Sequence, residues 1–156
     1  MTQSSALLRC LLVPLQRSQI LLPSASVVEV VPFGILVPPV ASPAWLLGSL
    51  SWRDTALAAV DLDVLFDGQA GERAGKSRLA VVRATGVSPR VDHYLILTRS
   101  LPRLVTLERH MLESDPAAAL PEAALSAVRI GGQQAYIPDL EYLEARLGDC
   151  LEQMPA

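Results

Sequence analysis

An all-β fold of one or two small barrels is what this sequence predicts, on three observations. Apolar residues make up 51% of the 156 and fall in short runs, with helical spacing only near the C-terminus. Twelve Pro and nine Gly punctuate those runs. The runs, roughly eight to ten of them at short spacing, suit strands that close on themselves.

In chain order, Leu7–Leu15 is the first strand, and the polar turn Gln16-Arg17-Ser18-Gln19 leads into Ile20–Leu22. Val27–Val31 is β-branched around Glu29 and closed by Pro32. Residues 38–42 form a loop, and Pro43–Leu47 reads as one helical turn opened by Ser42 and stopped by Gly48. Ser51-Trp52-Arg53-Asp54 is a turn into the strand Thr55–Leu62. Residues 67–77 hold three glycines and no large apolar side chain, so they divide the chain as a loop. Arg78–Thr85, Tyr94–Thr98 and Leu104–Leu107 follow as strands, with one or two helical turns expected over Glu108–Glu113. After the loop Asp115–Pro121, Ala124–Ile130 and Gln134–Ile137 pair around Gly131-Gly132, which accepts positive φ. Asp139 caps a helix with Leu140, Leu143 and Leu147 on one face, ending at Gly148. No internal sequence repeat is apparent.

Composition excludes several classes. Thirteen basic and sixteen acidic residues give a net charge of −3, which argues against a phosphate-backbone binder. Aromatic residues are only 4%, too few for base-stacking platforms. Two cysteines, Cys10 and Cys150, suit a reducing compartment and supply neither a disulfide framework nor a zinc site; both read as inert thiols, Cys150 in a C-terminal tail. Arg9 and Pro14 break the first apolar run, and five prolines break the region from Ile20 to Leu50, so no signal peptide or spanning helix is expected. A cytoplasmic globular protein is the expectation.

Chemical motifs are sparse. Gly71 to Ser77 approximates a phosphate-binding loop, but it has three residues between the glycines instead of four, and a strand pattern follows Lys76. His93 and His110 have no nucleophile motif around them. Asp61 and Asp63 alternate on a strand, which puts both carboxylates on one face for catalysis or simply for solubility. With His93 they define an alternative reading, a ligand-binding or enzymatic barrel that uses the cleft between two halves. No cofactor or metal pattern is present.

Arg53 offers more. The Trp52-Arg53-Asp54 turn combines an aromatic face, a fork of donors and a carboxylate, residue types enriched where proteins dock. The local reading is that Arg53 pairs with Asp54 or Glu29 to fasten the turn. Residue types alone leave both open.

From Leu7 to Leu147 the order of elements resembles the CheW-like domain, the adaptor fold of bacterial chemosensory arrays. The most specific stretch is Ser42 to Leu62, where Pro43, Gly48, Arg53 and Val60-Asp61-Leu62 match the family spacing. Val27-Val28-Glu29-Val30 is similar to its V-x-E-I segment. Ser51, Trp52 and Asp54 stand where the family turn has Asn, Leu and Gly, and Leu97-Thr98-Arg99-Ser100 replaces a V-D pair. The divergence resembles the accessory ChpC-like members of type IV pilus (twitching) systems.

The resemblance implies one domain over 7–147 built from two intertwined five-stranded SH3-like barrels. The first would span about 16–67 and the second about 78–147, with 68–77 as linker and the first strand, 7–15, able to join the second barrel. It implies a non-catalytic adaptor, without cofactor, recruited from the cytoplasm to membrane-associated receptor arrays without inserting in the membrane. Its implied partners are a methyl-accepting chemoreceptor, the regulatory domain of a CheA-type histidine kinase, and other CheW-like proteins; nucleic acid is not among them. Val27, Glu29, Gly48, Ser51, Trp52, Arg53 and Asp54 are carried over as partner-binding residues, with Gly48 allowing close backbone approach. Asp54, in place of a glycine, is expected to need a local partner when partly buried.

Overall fold

The computed structural model describes residues 7–39, 42–70 and 75–153. Most of the near phosphate-binding loop, residues 71–74, lies outside them, as do residues 40 and 41 of the predicted loop. Among the described residues, eleven strands form two sheets. They are β1 Leu7–Pro14, β2 Gln19–Pro23, β3 Val27–Pro32, β4 Leu46–Trp52, β5 Thr55–Val60, β6 Arg78–Arg83, β7 His93–Thr98, β8 Arg103–Glu108, β9 Leu112–Ser114, β10 Ala124–Ile130 and β11 Gln133–Pro138. The described residues also form two α-helices, α1 Leu62–Asp67 and α2 Leu140–Gln153.

The six-stranded sheet has the order β8-β1-β2-β11-β10-β9 and the five-stranded sheet β3-β6-β7-β5-β4. The first strand therefore sits beside β8 from the C-terminal half. The expected division at 68–77 does not separate the sheets, because β6 and β7 pair with β3 and β5, and β2 pairs with β11. Two of those three cross-half contacts, β5 with β7 and β11 with β2, are parallel, while β3 with β6 is antiparallel. Non-local pairings of this kind leave no mark in a local pattern.

Three cores explain the apolar runs. Cys10, Leu12, Leu21, Leu107, Val128 and Ala135 pack on one face of the six-stranded sheet. Leu57, Ala59, Leu79, Val81, Leu95 and Leu97 pack on one face of the other. A third core gathers Val13, Ile20, Leu22, Val60, Val82, Tyr94 and Ile96 with Leu143 and Leu147 of α2, where the sheets meet. Alternate residues of β1, β2, β5, β6 and β7 thus enter different cores, so both faces are buried and the strands read as continuous apolar runs.

Four local expectations need correction. Pro43–Leu47 is not helical: Leu46 N donates to Pro43 O at 3.0 Å, closing a turn, and β4 starts at Leu46 to bury Leu46 against the core. The strand from Thr55 stops at Val60, because Asp61 adopts extended backbone and accepts Asp63 N at 3.0 Å, starting α1. Over Glu108–Glu113 only a 3₁₀ turn, Arg109–Met111, forms before β9. Helix α2 runs through Gly148, and Cys150 lies on it rather than in a tail. A Cβ on Gly148 would overlap Ser88, so this glycine serves helix packing and not helix termination.

The backbone repeats where the sequence hardly does. The unit β4–turn–β5–α1 recurs as β10–turn–β11–α2 at a spacing of 78 residues (Leu46 to Ala124, Asp61 to Asp139). Bulges recur between Leu46 and Gly48 and between Ala124 and Ser126. Asp61 N donates to Trp45 O at 2.8 Å, and Asp139 N to Ala123 O at 2.7 Å. In the paired segments only Leu47/Leu125, Asp61/Asp139, Leu62/Leu140 and Leu65/Leu143 are identical. These include the helix cap and two leucines behind it.

Each helix also holds a strand connection by a carboxylate. Both Asp63 oxygens accept Gln16 N at 3.0 Å in the β1–β2 turn. Glu144, fully buried, accepts Thr85 N and Thr85 Oγ1 at 2.8 Å and the Tyr94 hydroxyl at 3.1 Å.

Candidate partner-binding surface

The β4–β5 hairpin turns through two residues with positive φ, Arg53 at 47° and Asp54 at 64°. That is a type I′ turn, whose twist suits a hairpin but which favours Asn-Gly or Gly-Gly. An L residue there costs roughly 1–2 kcal/mol in left-handed backbone, less for Asp. Arg53 recovers part of this by lying over the Trp52 ring, Cζ 4.3 Å from the centroid, a cation–π contact worth about 0.5–1 kcal/mol when exposed.

Trp52 is the centre of the surface. Its ring is half-buried against the five-stranded sheet's core, and its centroid lies 5.3 Å from that of His93 at a 42° tilt. Its Nε1 donates to Glu29 Oε1 on β3. Since β3 and β4 are the two ends of the sheet order, this bond links the sheet's edges. The segment that follows β3 is also bonded to β4, by Val37 N to Ser49 O at 2.8 Å and Ser49 N to Val37 O at 2.9 Å.

Glu29, Trp52 and Arg53 are therefore brought together, with exposed Ser51 and Asp54 beside them on the hairpin. Val27 and Gly48 are placed behind this surface. Val27 is half-buried, opposite Val82, and packs on the core between the sheets. Gly48 is buried with φ 139°, and a Cβ there would overlap the Val37 carbonyl. The close backbone approach it permits is that of its own chain.

The local pairings expected of Arg53 do not form. Glu29 is taken by Trp52, Arg53 lies over the indole, and Asp54 is exposed with no bonding partner among the described residues. Asp54 is exposed, so the burial that would have required a local partner for it does not arise.

Residues not singled out in the sequence complete the site. A groove of about 400 Å³ is lined by Trp52, Thr55, Ala56, Leu57, Pro89, Arg90, Asp92 and His93. The sequence singled out His93 only for the alternative polar set, because the register of β7 is what sets it beside Trp52. A second groove, about 440 Å³ and mainly apolar, runs between Leu21, Leu22 and Pro23 on one side and Leu125, Ile137 and Leu140 on the other.

The polar set Asp61, Asp63 and His93 does not converge. Parallel register sets Val60 beside Ile96, so Asp61 and His93 sit at opposite ends of β5 and β7, roughly 13 Å apart along the strands. Asp61 and Asp63 are both buried; one caps α1 and the other holds the β1–β2 turn. Burial pushes the Asp63 carboxyl above its usual range, against the lowering by Gln16 N–H. His110 pairs with Glu108 at 3.1 Å on the surface. Burial raises both the Cys10 and Cys150 thiols, which makes them poor nucleophiles. Among the described residues no three His, Cys, Asp or Glu side chains are grouped to hold a metal ion, and no helix is long and apolar enough to cross a membrane.

A two-sheet β protein that presents a strained, aromatic-backed hairpin beside a groove has the form of a protein-docking module. Residues 9–146 match the model of the CheW-like domain, and the chain belongs to that family. Among solved structures it is similar to the scaffolding protein TtCheW from Thermoanaerobacter tengcongensis. That match has a TM-score of 0.76 and 14% identity, over 92% of this chain and 91% of the other. At that identity the likeness is one of fold. No curated protein matches the chain.

Proposed function

We propose that this chain is a non-catalytic chemosensory adaptor that couples a methyl-accepting chemoreceptor to the regulatory domain of a CheA-type histidine kinase. The observation that carries the reading is the Glu29–Trp52–Arg53 cluster, an exposed Arg on an aromatic support at the tip of a hairpin, within a CheW-like domain. Glu29, Ser51, Trp52, Arg53 and Asp54 are its contact residues, and Val27 and Gly48 hold the backbone beneath them. The mainly apolar groove of about 440 Å³ between Leu22 and Leu140 gives the module a second docking surface, for the side chains of a partner helix. The adaptor works in the cytoplasm, at receptor arrays, in a type IV pilus (twitching) system, with other CheW-like proteins as further partners.

Purified receptor cytoplasmic fragment and kinase regulatory domain, each titrated with the full chain, test the reading. The expectation is binding to both, loss of binding to at least one on Arg53→Ala, and impaired surface motility without loss of pili when the gene is deleted. Failure of the wild-type chain to bind either partner would overturn it.

A further inference from the structure

The chain contains its own control for the Arg53–Asp54 turn. Gly131 and Gly132 close the equivalent hairpin at φ 56° and 83°, the conformation that Arg53 and Asp54 hold at 47° and 64°. Glycine takes that backbone without strain, so the fold itself asks for no side chain at either position. Arg53 has a visible return within the chain, its contact with Trp52. Asp54 has none: it is exposed, and it makes neither a hydrogen bond nor an ion pair with the described residues. It stands next to a fixed guanidinium, on the rim of the surface to which Glu29 has already been committed by Trp52. The tip therefore carries one positive group, laid over the Trp52 ring, and one exposed negative group on adjacent residues.

We infer that Asp54 is a specificity-determining residue, its carboxylate receiving a Lys or Arg side chain of the docked protein. This rests on the adaptor reading above. A carboxylate held in a rigid two-residue turn has little conformational freedom to lose on binding. It also discriminates, since a partner with an acidic or apolar side chain at that point meets an unmatched charge. Arg53 beside it repels a cation placed anywhere but over the carboxylate, which narrows the geometry further.

Asp54→Asn isolates the charge, because Asn tolerates left-handed backbone as well as Asp does. Asp54→Gly copies the second hairpin. Affinity of the full chain for purified kinase regulatory domain and receptor fragment is measured at about 50 mM and about 500 mM salt, together with melting temperature. Asp54→Asn is expected to melt with wild type and to bind at least one partner about fivefold or more weakly at low salt, with the difference shrinking at high salt. Asp54→Gly is expected to lose the same affinity while melting no lower than wild type. Unchanged affinity of Asp54→Asn for both partners overturns the assignment while the adaptor reading stands. A wild-type chain that binds neither partner overturns both.

Discussion

Trp52 donates its indole N–H to the carboxylate of Glu29, and this single side-chain bond ties β4 to β3 at the two ends of the five-stranded sheet. The same indole supports Arg53 and touches His93. A residue that fastens the sheet edges also shapes the surface proposed to bind partners, so stability and docking are coupled at one side chain.

Trp52→Phe keeps a ring but removes the donor. Glu29 is exposed and rehydrates, so the loss is that of one charge-assisted hydrogen bond, about 1–2 kcal/mol in a urea unfolding titration. An unchanged midpoint would mean that the Val37–Ser49 bonds hold the edges unaided.

Gly48→Ala is expected to cost more, about 3 kcal/mol or beyond. Its backbone at φ 139° disfavours any Cβ, and the added carbon would overlap the Val37 carbonyl. Weaker partner binding should then track the fraction unfolded in circular dichroism. A folded Gly48→Ala chain that has nevertheless lost binding would make Gly48 a contact residue.

Strands with both faces buried were legible in the sequence because burial on two sides leaves no polar alternation to mislead. Helix α1 was not, because six residues show less than two turns of periodicity, and Val60-Asp61-Leu62 continues an apolar strand. Its Asp-Leu cap is the one correctly read at Asp139-Leu140, where a longer helix follows. Gly148 was misread since a glycine late in a helix signals an end unless a neighbour such as Ser88 requires the space. At the site, the Trp52-Arg53-Asp54 turn could be read locally. The bond to Glu29 and the contact with His93 could not, for they depend on β3 and β7 reaching the hairpin from 23 and about 40 residues away along the chain.

The buried hydroxyl of Tyr94 is pushed well above the ordinary tyrosine range, first by burial, then by the Glu144 charge and its hydrogen bond. The neutral form is thus favoured in the folded state, while the unfolded chain ionises near pH 10. Stability from this group is full below about pH 10 and declines as pH rises beyond it, because the unfolded state binds fewer protons. The raised Cys10 thiol acts in the same sense from about pH 9. Alkaline titration by ultraviolet absorbance should show Tyr94 ionising only as the protein unfolds. Tyr94→Phe should weaken that alkaline decline and, by stripping a donor from buried Glu144, cost about 1–3 kcal/mol at neutral pH.

Arg53 separates folding from docking most directly, because two substitutions move stability in opposite directions. Arg53→Ala keeps the left-handed backbone strain and loses the contact with Trp52, so it should destabilise by about 0.5–1 kcal/mol. Arg53→Gly loses the same contact but removes the strain, roughly 1–2 kcal/mol, which offsets the greater chain entropy of glycine. Its unfolding midpoint should lie at or above that of wild type. Both variants lack the guanidinium fork that a partner's carboxylate would engage, so both should weaken kinase or receptor binding by about 1–3 kcal/mol. Affinity lost equally in a stabilised and a destabilised variant can only come from direct contact. If binding instead follows the order of stability, with Arg53→Gly binding as well as wild type, Arg53 serves the turn alone and the contact surface must lie elsewhere on the hairpin.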